Sequence, residues 1–219
     1  MNQPISVAGT RELARLPLIL TGVLFLVFIP TFLFTPEGRL NWSLEVGPGI
    51  AGMVALAIAF KRFPMSRMVY VCVFVHVLIL VYGGYYSYAK APLGFWAQET
   101  FGFTRNHYDR IGHLALGFFP AFIIKEILLR VTPLRLGGWL TFLVLSVVLA
   151  IGAFWELVEW WTALVLDPAG GDKFLGSQGD IWDAQWDMFL ALVGASISLT
   201  LLGKLHLASM EKLLGKKVD

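Results

Sequence analysis

Six apolar segments dominate the chain, and each approaches the ~20 residues that an α-helix needs to cross the hydrocarbon core of a bilayer. The segments span residues 17–34, 43–60, 68–88, 107–129, 139–166 and 181–203. Of the 219 residues 57% are hydrophobic and only 15% are charged, against about 25% charged in an ordinary soluble domain. The sequence therefore predicts a single all-α domain, a polytopic membrane helix bundle of six transmembrane helices. A soluble enzyme, a disulfide scaffold and a disordered chain are excluded.

Lys and Arg residues indicate the orientation of the bundle, because cytoplasmic loops of membrane proteins carry an excess of both. They concentrate in alternate inter-span segments, at Arg11 and Arg15, Lys61 to Arg67, Lys125 to Arg135, and Lys204 to Lys217. This pattern predicts that both termini are cytoplasmic. The first segment lacks a small-residue cleavage site after it, which favours a retained anchor helix over a signal peptide. The formal net charge of +2 gives no indication of nucleic-acid binding.

Three of the predicted helices carry acids and histidines at the ends that this orientation places outside. The purely apolar parts of the fourth and sixth segments, 114–124 and 188–203, are short for a bilayer, so their polar ends must reach the membrane boundary. The spacings place each set on one helical face. The sets are Asp109 and His113 (i, i+4), Glu156 and Glu159 (i, i+3), and Asp180, Asp183 and Asp187 (i, i+3, i+7). We therefore expect three helices to present ligands at one depth.

Six carboxylates at this depth cannot all stay ionised without a cation or shared protons. Two nearby arginines, Arg105 and Arg110, are too few to balance them. Carboxylate and imidazole ligands suit a divalent metal ion, and manganese, iron, zinc and magnesium all remain open. The predicted metal ligands are Asp109, His113, Glu156, Asp180, Asp183 and Asp187. His107 or Glu159 is the predicted general base.

Simpler roles compete for several of these residues. Asp180 completes a capping box with Ser177, and Asp109 stands in a weaker version of that pattern after Asn106. Glu159 can be solvated at the membrane interface beside two tryptophans, and His107 can be an ordinary loop residue. His76 stands alone near the middle of the third segment, where a neutral imidazole bonded to a neighbouring helix is the default, so it is left out of the site.

The motifs NHYDRIGH at 106–113, FWELVEWW at 154–161 and GDIWDAQWD at 179–187 resemble those of the YjdF-like family of bacterial inner-membrane proteins. The resemblance covers residues from about 82 to 203. It implies a multi-pass protein of the bacterial inner (plasma) membrane with six spans, in contact with membrane lipid. It implies no reaction, because this family is a domain of unknown function.

A looser similarity reaches the VanZ-like proteins. Their pattern of Asp-Lys/Arg-x-x-His, then Glu, then Arg-x-x-Asp-x-x-Asp is matched in order by Asp109 to His113, Glu156, and Asp180 with Asp183. The chain departs from it at Asp187, where VanZ-like proteins tend to have Asn, and it lacks the Arg that opens the last motif. This resemblance implies chemistry on lipids or lipid-linked molecules of the cell envelope.

The leading hypothesis is a membrane protein whose outward-facing metal site performs hydrolytic or transfer chemistry on an envelope lipid or lipid-linked substrate. The alternatives are an ion- or proton-coupled transporter and a non-catalytic subunit of an envelope complex. The chain carries no phosphate-binding loop, no Gly-x-Ser-x-Gly and no His-Glu-x-x-His motif. Whether the protein is an enzyme, and in which oligomeric state it works, is left open by the sequence.

Overall fold

The protein is helical throughout the part that the computed structural model describes, residues 7–166 and 177–218, where no strand occurs. The helices are α1 Val7–Phe34, α2 Arg39–Ala59, α3 Arg67–Tyr86, α4 Pro92–Phe101, α5 Tyr108–Phe118, α6 Pro120–Val131, α7 Gly138–Val165, α8 Asp183–Leu201 and α9 Gly203–Leu214. A short 3₁₀ helix, Tyr88–Lys90, lies between α3 and α4. The predicted all-α fold class is confirmed.

Five of the described helices are long and apolar enough to cross a membrane, namely α1 (from Arg11), α2, α3, α7 and α8. They match five of the six predicted segments, so the polytopic membrane bundle is confirmed. Their ends differ from the prediction by up to four residues, except that α1 begins ten residues earlier than residue 17 and includes both of its arginines. The loop between α7 and α8 includes residues 167–176, which lie outside the described part of the chain.

The fourth predicted span, 107–129, forms two helices, α5 and α6, which meet at Phe119. Pro120 is the cause, because it has no N–H to donate to the preceding turn and its ring crowds the carbonyl four residues earlier. Phe119 keeps helical backbone angles, with φ −81° and ψ −47°. Neither half is long enough to cross a bilayer alone. The count of six spans and the cytoplasmic position of both termini remain predictions.

The backbones of α5 and α8 touch at two glycines. Gly117 faces the backbone carbonyl of Ala191, and Gly194 faces that of Leu114, so a Cβ at either glycine would overlap a carbonyl group. Small residues permit such close approach between helices in a membrane. Both helices present acidic residues in the turns before these contacts. Asp109 of α5 and Asp187 of α8 also lie close together, so the two helices run in the same direction and bring their polar N-terminal turns together.

Apolar packing holds the other helices around this pair. Val144 and Val148 of α7 pack with Ala191 and Ala195 of α8 in a buried cluster that also includes residues of α6. A second cluster joins α1, α2 and α3, with Trp42 of α2 at its centre. A third cluster packs Phe122 of α6 against α3, and α5 contacts both α3 and α8.

A buried polar network closes the end of the bundle opposite the acidic turns. Glu126 is fully buried and accepts hydrogen bonds from the backbone N–H of Ser66 at 2.9 Å and from Arg130 at 2.8 Å. Nε2 of His206, on α9, lies 3.3 Å from the same carboxylate. The short terminal helix is thereby fixed against α3 and α6.

We expect Gly194→Ala to destabilise the protein, because the added methyl group would force α5 and α8 apart. Overpacking of this kind costs about 1–3 kcal/mol, which thermal unfolding in detergent can measure. Gly47→Ala is the matched control, since nothing lies within 4 Å of a Cβ at that helical glycine. Equal unfolding temperatures for the two variants would contradict the close contact.

Candidate metal centre

His113 lies at the meeting point of α5, α7 and α8. Its side chain is 4% exposed, with Nε2 3.7 Å from an oxygen of Asp109 and Nδ1 3.6 Å from an oxygen of Glu156. Asp109 is one turn before His113 on α5, and Glu156 is on α7. The predicted meeting of polar helix ends therefore occurs, with a histidine between carboxylates.

Two groups of metal-ligating side chains share His113. The first is Asp109, His113 and Asp187, and the second is His113, Glu156 and Glu159; within each group one ligand atom per residue lies within 4.8 Å of the others. Carboxylate and imidazole ligands stand about 2.0–2.2 Å from a zinc ion, so two ligands of one ion are at most ~4.4 Å apart. Small side-chain movements would bring either group to that geometry.

Three buried atoms of this cluster have no hydrogen-bond partner among the residues that the structure describes. They are Nδ1 of His113, Oε1 of Glu156 and Oδ1 of Asp187. A buried polar atom without a partner costs about 1–3 kcal/mol, and more when it is charged. All three are ligand atoms that a cation would satisfy. We call Asp109, His113, Glu156, Glu159 and Asp187 the acidic core.

The two remaining predicted ligands, Asp180 and Asp183, lie beside arginines. Arg105 contacts Asp183 and also reaches Asp180 at 3.5 Å, and Arg110 donates to Asp180 at 2.7 Å. Metal binding by these two aspartates remains a prediction. The two arginines compensate these aspartates directly, so less positive charge is left for the acidic core.

The structure also places the residues for which capping was considered. Helix α8 begins at Asp183, so Asp180 lies before the helix and accepts a hydrogen bond from the backbone N–H of Trp182 at 3.0 Å. The capping box with Ser177 at the N-cap therefore does not form. At α5 it is Asn106 whose side chain accepts from the N–H of Tyr108, at 3.0 Å, and Asp109 is left to face His113.

The two predicted bases have different surroundings. Glu159 is 7% exposed and belongs to the acidic core, which does not fit a solvated interfacial role. His107 precedes α5 and its ring packs against Phe103, 5.0 Å between centroids. Partial burial, followed by the charges of Arg110 and Arg105, lowers the pKa of His107, which favours the neutral imidazole that a base requires.

Glu45 was missed in the sequence. It is 7% exposed on α2 and interacts electrostatically with Asp109. It was the lone carboxylate of its predicted span, and an ionisable residue inside a span is a functional candidate by default.

Tyr88 was also missed, because it lies in the 3₁₀ helix outside the three motifs. Its ring is buried against Gly83 and Gly112. Burial, together with the nearby acids, raises the pKa of Tyr88 well above its usual range, so the phenol stays protonated. It is therefore available only as a neutral hydrogen-bonding group.

A cavity of about 410 Å³ adjoins the acidic core. Glu45, Asp109, His113 and Glu159 line one end of it together with Tyr88. His76 lines it as well and stacks on Phe119 at 5.7 Å, with no hydrogen-bond partner for Nε2 in the described chain. Its volume falls in the range of about 300–1,000 Å³ that is typical of ligand pockets.

Comparison with known proteins gives one family and one curated relative. The family model of a predicted membrane protein, DUF2238, matches residues 16–208. Inner membrane protein YjdF of Escherichia coli strain K12 is 42% identical over 198 residues, which cover 90% of this chain and 94% of that protein. No solved structure matches the chain significantly. The YjdF-like resemblance and the inner-membrane location are confirmed, whereas neither match bears on the VanZ-like resemblance.

We expect Arg105→Gln to destabilise the protein by about 3–5 kcal/mol, because breaking a buried ion pair leaves an uncompensated charge. The side chains of Arg105 and Asp183 are each 10% exposed. Adding Asp183→Asn should restore part of the loss, and chemical unfolding of the single and double variants measures both effects.

Lys90→Gln provides the control, because Lys90 is 57% exposed in its ion pair with Glu37. Exposed pairs contribute only about 0–1 kcal/mol. A double variant no more stable than Arg105→Gln would show that the aspartate charge is not what the arginine balances.

Proposed function

This chain belongs to the DUF2238 family of predicted membrane proteins, and for it we propose a divalent metal site in the acidic core. The observation that carries the proposal is the position of His113, buried between carboxylates of different helices with Nδ1 unpartnered. A cation would satisfy the orphaned atoms and relieve the repulsion between the acids.

The four central ligands of this proposal are Asp109, His113, Glu156 and Asp187. All four were predicted from the sequence. An oxygen-rich set with one imidazole suits manganese, iron, zinc or magnesium. Asp180 and Asp183 would orient the site through Arg105 and Arg110, since residues around metal ligands commonly fix their geometry.

The proposed activity is hydrolytic or transfer chemistry on an envelope lipid or lipid-linked substrate. A bound divalent metal would supply a nucleophile by lowering the pKa of water. Glu159, within the acidic core, would accept a proton, and His107 is the second candidate for that role. Tyr88, which lines the same cavity, would donate a hydrogen bond to a substrate oxygen.

We expect detergent-purified protein, dialysed against Mn²⁺ or Zn²⁺ without chelators, to hold stoichiometric metal by elemental analysis. His113→Ala and Asp187→Asn should each lose most of it. Metal at a hundred times its Kd should also stabilise the fold by about 2.7 kcal/mol. This is measurable as a rise in unfolding temperature that EDTA reverses.

Glu37→Gln is the matched control, because this carboxylate lies outside the acidic core and pairs with Lys90. It should keep its metal. Metal-free wild-type protein, or equal metal retention in all the variants, would show that the acids share protons instead.

The second candidate function is proton- or ion-coupled transport. Its supporting observation is His76, which lines the same cavity as the acidic core and extends a line of ionisable groups into the bundle. Proteoliposomes carrying a pH-sensitive or metal-sensitive dye test it. We expect no flux above that of protein-free vesicles, and flux abolished by Asp187→Asn would replace the enzymatic proposal with transport.

A further inference from the structure

The cavity beside the acidic core has one polar end and one long apolar arm. The polar end carries Glu45, Asp109, His113 and Glu159. The arm continues past His76 to side chains that cannot form hydrogen bonds, namely Leu56, Val73, Leu116, Ile123 and Ile151. A small polar substrate would leave this arm unused.

The arm opens sideways, between α2 and α7. Pro48 and Gly52 of α2, and Ile151 and Phe154 of α7, line the cavity and are also exposed on the outside of the bundle. These two helices pack on different partners, α2 on α3 and α7 on α8 and α6. Because both are membrane-spanning helices, the opening between them faces lipid.

The depth of the arm matches one leaflet. Glu45 and Leu56 mark its two ends on α2, and eleven residues of helix rise roughly 16 Å. Half of a hydrocarbon core of about 30 Å is about 15 Å. The acyl chain of a lipid that enters from the leaflet on the side of the acidic core would therefore fill the arm, while the lipid headgroup stayed at the level of the carboxylates.

We propose that the apolar arm binds an acyl chain of a membrane glycerophospholipid, which enters sideways between α2 and α7 and presents its headgroup to the acidic core. The reaction in this inference rests on the proposed function, but the binding of the acyl chain is a separate claim. Water-soluble substrates are disfavoured because the long arm is apolar and its mouth faces lipid.

Gly52 offers a way to block the arm without disturbing the helices. It lines the cavity, and nothing lies within 4 Å of a Cβ placed there. Gly52→Trp should therefore fill the arm, and Gly52→Leu is a smaller version should the indole prevent folding. Gly47→Trp is the matched control, because this glycine has the same free space on the same helix and does not line the cavity.

The test uses proteoliposomes of phosphatidylethanolamine and phosphatidylglycerol that contain a trace of phosphatidylglycerol with a diazirine in its acyl chain. After irradiation, mass spectrometry maps the labelled residues. We expect labelling of Leu116 and Ile123, which are only partly exposed inside the arm. Ile58, 78% exposed on α2, reports ordinary lipid contact.

Gly52→Trp should abolish labelling of Leu116 and Ile123 and keep that of Ile58, whereas Gly47→Trp should keep all three. Wild-type protein labelled at Ile58 alone would overturn the inference. So would persistent labelling of the arm in Gly52→Trp with a normal unfolding temperature. The metal content of the same samples separates the two claims, because metal without arm labelling refutes only lipid binding, and arm labelling without metal refutes only the metal site.

Discussion

The contact between the backbones of α5 and α8 determines how close the charged groups of these two helices lie to one another. Two helices of the same direction, separated at Gly117 and Gly194 by no side chain, place their preceding turns side by side. Those turns carry Asp109 and His113 on one helix and Asp183 and Asp187 on the other. Larger residues at the glycines would separate the helices and leave the acids too far apart to share a ligand. The packing of small residues thus determines how close the acidic residues of the two helices lie to one another.

The charges of the site fall into an outer and an inner layer. Arg105 and Arg110 compensate Asp180 and Asp183, and the geometry resembles an ordinary buried ion-pair network. The inner layer around His113 consists of carboxylates and one imidazole, whereas Arg105 and Arg110 form their ion pairs with the outer aspartates. Repulsion there is relieved by protons or by a cation. The inner layer, unlike the outer one, therefore needs protons or a cation to relieve its repulsion.

Much of this arrangement followed from the sequence, because its signals were periodic. The spacing within each pair, Asp109 with His113 and Asp183 with Asp187, predicted which side chains share a helical face. The short apolar stretches predicted that these side chains lie near the membrane boundary. What the sequence did not reveal depended on contacts between distant elements. The pairing of Arg105 with Asp183 crosses 78 residues, and the cavity at Glu45 is lined by residues of α2, α3, α5 and α7. Pro120 stands at the break after Phe119, but the apolar run that continues on both sides of it predicts one span.

The network around Glu126 has a consequence for biogenesis. Its last contact, His206, belongs to α9, a helix of 12 residues at the end of the described chain. During synthesis, helices α3 and α6 enter the membrane while this segment is still within or near the ribosome. Until it emerges, the buried carboxylate lacks its imidazole neighbour, and the N–H of Met68 lacks the hydroxyl of Ser209 that accepts its hydrogen bond. Closure of the bundle at this end therefore waits for the synthesis of α9, and the nascent protein remains open on that side until then.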